Sequence, residues 1–97
     1  MAAPDVWVAK ADGTDFVRAT AIAGVGRDYN GNITVRLLGI GQATVTLVSP
    51  PDDGQTPEDF HLQLLRVITE LSDTAEPAVV RPAQVTPHGW IWRAGPL

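Results

Sequence analysis

Thr56-Pro57-Glu58-Asp59-Phe60-His61-Leu62-Gln63-Leu64-Leu65-Arg66-Val67-Ile68-Thr69-Glu70-Leu71 is the stretch around which the 97-residue chain is organised. Thr56 offers a side-chain oxygen to a free backbone N–H, as an N-cap does. Pro57 suits the first helical position, where its missing N–H costs nothing. Glu58 and Asp59 place negative charge at the positive end of a helix dipole. At about 100° per residue, Phe60, Leu64, Val67, Ile68 and Leu71 share one stripe, which predicts a helix over 56–72 with one buried face. Gln63, Arg66 and Glu70 fall opposite. Leu62 stands off the stripe beside Leu65 and Thr69, so another element covers it or it meets solvent.

Upstream, short alternating runs read as strands. Val6–Lys10 and Phe16–Arg18 flank the turn pair Asp12-Gly13. Ile22–Tyr29 leads into Asn30-Gly31, a strong hairpin signal, and Ile33, Val35 and Leu37 answer on one face of the return strand. If Asn30 and Gly31 alone form the loop, Gly26 opposes Val35 and Gly24 opposes Leu37. Two glycines on the core face would then leave room for the helix, and Val25 and Arg27 would share the outer face with Thr34 and Arg36. Gly39-Ile40-Gly41-Gln42 turns the chain into Ala43–Ser49, with Val45 and Leu47 inward and the threonines outward.

Residues 50–55 form a Pro/Asp/Gly loop before the helix. After it, Ala78–Arg81 reads as a short strand stopped by Pro82. Trp90–Arg93 reads as a last strand, reached through Pro87-His88-Gly89, and prolines there favour sheet edges. The expectation is one α+β domain over residues 1–97. It has a four-strand meander (5–49) as a small antiparallel sheet or half-barrel, one packed amphipathic helix, and C-terminal strands within 77–93.

Residues 9–71 resemble, in pattern, the small flagellar-associated family typified by the FlbD protein. The matching positions are Gly13, Ile22 with Val25, Ile33 and Val35, Gly41, Val45 with Leu47, and the helix from Pro57. The resemblance implies the same order of elements and carries no function.

The chain is 44% apolar and 19% charged, as a folded domain is and a disordered one is not. Its net charge of −4 gives no footprint for nucleic acid. Without cysteine there is neither disulfide nor thiolate chemistry. No signal-peptide pattern occurs at Met1-Ala2-Ala3-Pro4-Asp5 and no run is long enough for a membrane span, so no membrane role and a cytoplasmic location are expected. Six arginines against one lysine, with abundant Ala, Gly, Val, Pro and Asp, suggest a GC-rich bacterial or phage genome.

Catalytic patterns are missing. Glu58 and His61 share a helix face at a spacing of three but lack the further ligands a metal needs. Neither Gly24-Val25-Gly26 nor Gly39-Ile40-Gly41 opens a helix, as a phosphate cradle must. Asp52-Asp53 sits in a loop without the rigid setting that parts two pKa values. No enzyme, cofactor or metal site is expected.

The expected function is therefore a small non-catalytic protein–protein interaction module that self-associates, with a homodimer in view. The candidate surface is Leu62, Leu65, Arg66, Trp90, Trp92 and Arg93, since Trp and Arg are enriched at interface anchors. The structural alternative for Trp90 and Trp92, covering the helix face that holds Leu62 and Leu65 or closing the end of the sheet, carries more weight because a small domain needs its large apolar side chains. An open sheet edge at Ala78–Arg81 could also recruit a strand. A phage or mobile-element structural or inhibitory protein is the alternative. A small-ligand pocket lined by Ile33, Val35 and the two glycines ranks below both.

Overall fold

A computed structural model describes residues 5–39, 41, 43–50, 54–73, 76–86 and 89–96. Ile40, Gln42, Pro51, the pair Asp52-Asp53, Pro87 and His88 lie outside the described residues. The elements run β1 (Val6–Ala9), β2 (Phe16–Arg18), a 3-10 turn (Ala19–Ala21), β3 (Ile22–Arg27), β4 (Ile33–Leu37), β5 (Thr44–Val48), α1 (Phe60–Ser72), β6 (Ala78–Thr86) and β7 (Gly89–Pro96). This is the α+β class the sequence predicts. The strands divide into two sheets, one ordered β2-β1-β6-β7 and the other β3-β4-β5. All neighbours are antiparallel except β1 and β6, which are parallel.

The break between the sheets falls at the 3-10 turn, where the chain leaves β2 and enters β3. A backbone bond then joins the sheets, from the Ala11 N–H just past β1 to the Leu47 carbonyl of β5 at 2.8 Å, while Leu38 N–H to the Ala21 carbonyl at 2.7 Å continues the β3–β4 pairing back into the 3-10 turn. One core fills the space between the sheets and the helix. It takes Val6 and Val8 from β1, Ile33 and Val35 from β4, Leu47 and Val48 from β5, Phe60 and Leu64 from α1, Val80 from β6 and Trp90 from β7. A register shift between β4 and β5 leaves Leu47 without a partner, and this bulge allows Leu47 and Val48 to be buried in succession.

The β3–β4 hairpin differs from the expected register by one residue. Val25, not Gly26, opposes Val35, and Arg27 opposes Ile33. The loop holds three residues, Tyr29, Asn30 and Gly31, closed by Asp28 N–H to the Asn32 carbonyl and by Gly31 N–H to the Asp28 carbonyl. Gly31 has φ +81°, the left-handed conformation that three-residue loops place before the second strand. The Asp28 carboxylate decides for this loop. It accepts from the side-chain and backbone N–H of Asn32 and from Asn30 N–H, which hold its pKa below the usual carboxylate value.

A shift of one residue exchanges the two faces of a strand. Val25 and Arg27 therefore face the core side with Ile33 and Val35, whereas Gly24 and Gly26 face away, opposite Arg36 and Thr34. The expected ligand pocket has no walls for the same reason. Ile33 and Val35 are fully buried in the core and the glycines lie behind them.

The helix begins at Phe60, later than its sequence suggests, and Asp59 at its start makes no side-chain cap bond. Thr56 is not the cap because its hydroxyl is taken. Thr56 Oγ1 donates to the Gly31 carbonyl at 2.7 Å and accepts from Arg27 Nε at 3.2 Å. Arg27 Nη2 also donates to the Thr56 carbonyl at 2.9 Å. Thr56, 3% exposed, thus fastens the approach to the helix onto the hairpin end. A Cβ at Gly31 would crowd Thr56 Oγ1 at 3.1 Å, so space and φ both require glycine there.

Pro82 does not stop β6. The strand runs on to Thr86, with Pro82 opposite Trp92. β1 pairs with β6 only as far as Val80, so a missing N–H is tolerated on the open side beyond it. Ala78–Val80 for its part lies between β1 and β7, so the expected open edge at Ala78–Arg81 is closed by β1 as far as Val80.

Two outcomes test these assignments. Thr56→Ala is expected to cost about 1–3 kcal/mol by stranding the Gly31 carbonyl and Arg27, and to couple with Arg27→Ala in a double-mutant cycle. Strict additivity, measured by denaturant titration, would return Thr56 to a capping role. Gly26→Val is expected to leave stability unchanged or to raise it, because a Cβ there meets only Thr34 Oγ1 at 3.7 Å. A loss of about 1–3 kcal/mol by overpacking would instead put this glycine under the helix.

Candidate functional site

Of the six candidate residues, Leu62, Leu65 and Arg66 lie on α1 and Trp90, Trp92 and Arg93 on β7. The predicted stripe turns inward, with Phe60 and Leu64 fully buried and Val67, Ile68 and Leu71 packed against the core. Leu62 and Leu65 therefore project outward, 44% and 43% exposed. With Arg66, Thr69 and Glu70 they line a shallow groove on the outer helix surface. Neither Arg66 nor Glu70 forms an ion pair among the described residues.

Trp90 and Trp92 do not reach that groove. Alternation along β7 sends both toward Phe60, on the buried side of the helix, and leaves Ile91 40% exposed on the other face. The Trp92 ring stacks on Phe60 with centroids 4.5 Å apart at 15°, and its Nε1–H donates to the Phe60 carbonyl at 2.8 Å. Trp90 meets Phe60 at 6.2 Å and 57°, within the core. Its Nε1–H is buried without a partner among the described residues. Arg93 is exposed on the face of β7 that carries Ile91. The structure thus brings together Leu62, Leu65 and Arg66, buries Trp90 in the core with Trp92 half-buried against it, and sets Arg93 on a separate surface.

Sequence reasoning missed that separate surface. Strand pairing places Trp7 beside Arg18 and Val79, and Arg81 beside Arg93, all on the outer face of the four-stranded sheet. The signal was present as alternation, since Arg18 and Arg81 each follow a core valine. Which alternating positions meet, however, depends on the parallel β1–β6 pairing between distant segments.

His61 is half-buried, with Nδ1 enclosed and unpartnered among the described residues, and Glu58 is exposed. No group of three or more His, Cys, Asp or Glu among the described residues is placed to hold a metal. No family model, curated protein or solved structure matches the chain, so the pattern resemblance to the flagellar-associated family has no support from them.

The two tryptophans are expected to respond differently to replacement. Trp92→Phe loses a bonded donor and part of a stacked ring, for about 1–2 kcal/mol. Trp90→Phe also removes an orphaned donor whose burial is itself unfavourable, so its net loss should be smaller. Equal losses in urea titrations would show that Trp90 Nε1 is satisfied.

Proposed function

We propose that the chain is a small non-catalytic protein–protein interaction module that pairs with a second copy of itself through the outer ridge of α1. The observation that carries this reading is the uncovered Leu62–Leu65 pair beside Arg66 and Glu70. A two-fold contact uses one patch twice, so the patch must complement itself. Two leucines with one charge of each sign meet that requirement. Antiparallel ridges would set leucine on leucine and Arg66 of each copy near Glu70 of the other. Composition supports a bacterial or phage setting, and the absence of a helix long and apolar enough to cross a membrane among the described residues accords with a cytoplasmic one.

Light scattering across a concentration series, with thermal melts alongside, tests the proposal. The parent is expected to dimerise and Leu62→Asp to weaken the dimer by at least about tenfold. Because Leu62 is exposed, the same change should leave the isolated monomer's stability within about 0.5 kcal/mol. A parent that stays monomeric at high concentration overturns the reading. An unaffected dimer would move the interface elsewhere.

A further inference from the structure

The outer face of the β2-β1-β6-β7 sheet carries an arrangement that folding alone disfavours. Arg81 and Arg93 are direct cross-strand partners, and like charges so placed destabilise a sheet. Neither has an acidic partner among the described residues. Arg81 lies over the Phe16 ring at 5.5 Å and Arg18 over the Trp7 ring at 4.9 Å. Among the described residues Arg18 pairs with one acid, Asp5, at 3.8 Å, with both side chains about half exposed. The four strands hold no Asp or Glu, so all 11 acidic residues of the chain lie elsewhere. Phe16, 41% exposed, and Ile91, 40% exposed, add apolar surface among the guanidinium groups.

We infer that this face binds an acidic segment of another protein, its carboxylates on Arg81, Arg93 and Arg18 and its apolar side chains on Phe16 and Ile91. A guanidinium stacked on a ring still presents its N–H groups at its edges, in the fork that matches a carboxylate. Single-stranded nucleic acid fits less well. It needs free ring faces for its bases, and here arginine occupies a face of both rings. Three positive charges on a chain of net charge −4 also give a polyanion little to hold. This surface is distinct from the helix ridge, because α1 packs with the core against the opposite face of the sheet. The inference therefore stands or falls apart from the dimer.

The test is fluorescence anisotropy with a labelled peptide alternating Glu with Leu, its Gln-for-Glu counterpart, and labelled oligodeoxythymidine. The Glu peptide should bind saturably at low salt, weaken as salt rises, and exceed the Gln peptide by about tenfold or more. Arg93→Glu replaces a like-charge pair with an opposite one. It should raise the melting temperature while lowering peptide affinity by about tenfold or more. That opposition of signs separates a binding role from a structural one. No saturable binding of the Glu peptide, or equal binding by the variant, overturns the inference. Tighter binding of oligodeoxythymidine would assign the face to nucleic acid instead. Loss of self-association in Arg93→Glu by light scattering would assign it to a second copy, and either result overturns the acidic segment.

Discussion

Phe60 is where the molecule is joined. It opens the helix, is fully buried, stacks on Trp92, tilts against Trp90, and gives its carbonyl to the Trp92 indole. Full burial of such a ring contributes about 1.5–3 kcal/mol, and each well-placed aromatic partner about 0.5–1.5 more. Against a net stability of about 5–15 kcal/mol for a domain, that is a large share at one position. Through Phe60 the C-terminal ribbon, the helix and the core strands of the smaller sheet become one packing unit.

A second fastening fixes where the helix lies. Thr56 and Arg27 bind the residues before α1 to the β3–β4 hairpin, and they do so at the end where Gly31 turns. The Asp28 loop sets the hairpin register, and the register turns Arg27 to the core side, where Thr56 can receive it. Local turn chemistry and long-range packing thus depend on each other. The helix has no side-chain cap of its own, and this tertiary bond holds its approach in place instead.

Charge is distributed unevenly over this frame. The four-stranded sheet keeps three arginines and no acid, while the segments between the elements carry the acidic excess and the helix has one charge of each sign. Net charge alone hides this, because it averages over faces that a partner would meet one at a time. The two uncovered surfaces differ accordingly. The helix ridge carries both signs beside two leucines, and the outer sheet face carries positive charge beside Phe16 and Ile91.

By itself the sequence determined the helix stripe, the existence of most strands, the α+β class and that Leu62 stands off the stripe. These follow from periodicity, which is a property of neighbouring residues. It also allowed both roles for Trp90 and Trp92, and only packing against Phe60 put Trp90 in the core and Trp92 against it. The helix start was misread because Thr56 has a capping side chain whose hydroxyl is spent on a carbonyl 25 residues away. The hairpin slipped by one because Asn30-Gly31 suits a two-residue loop as well as a three-residue one, and Asp28 settles it. Pro82 looked like an end because the sequence does not show that the pairing of β6 with β1 ends at Val80 and leaves one side of β6 open beyond it. The arginine face was invisible for the same reason. It exists only because β1 pairs in parallel with β6 across most of the chain, and such contacts between distant segments leave no local periodicity to read.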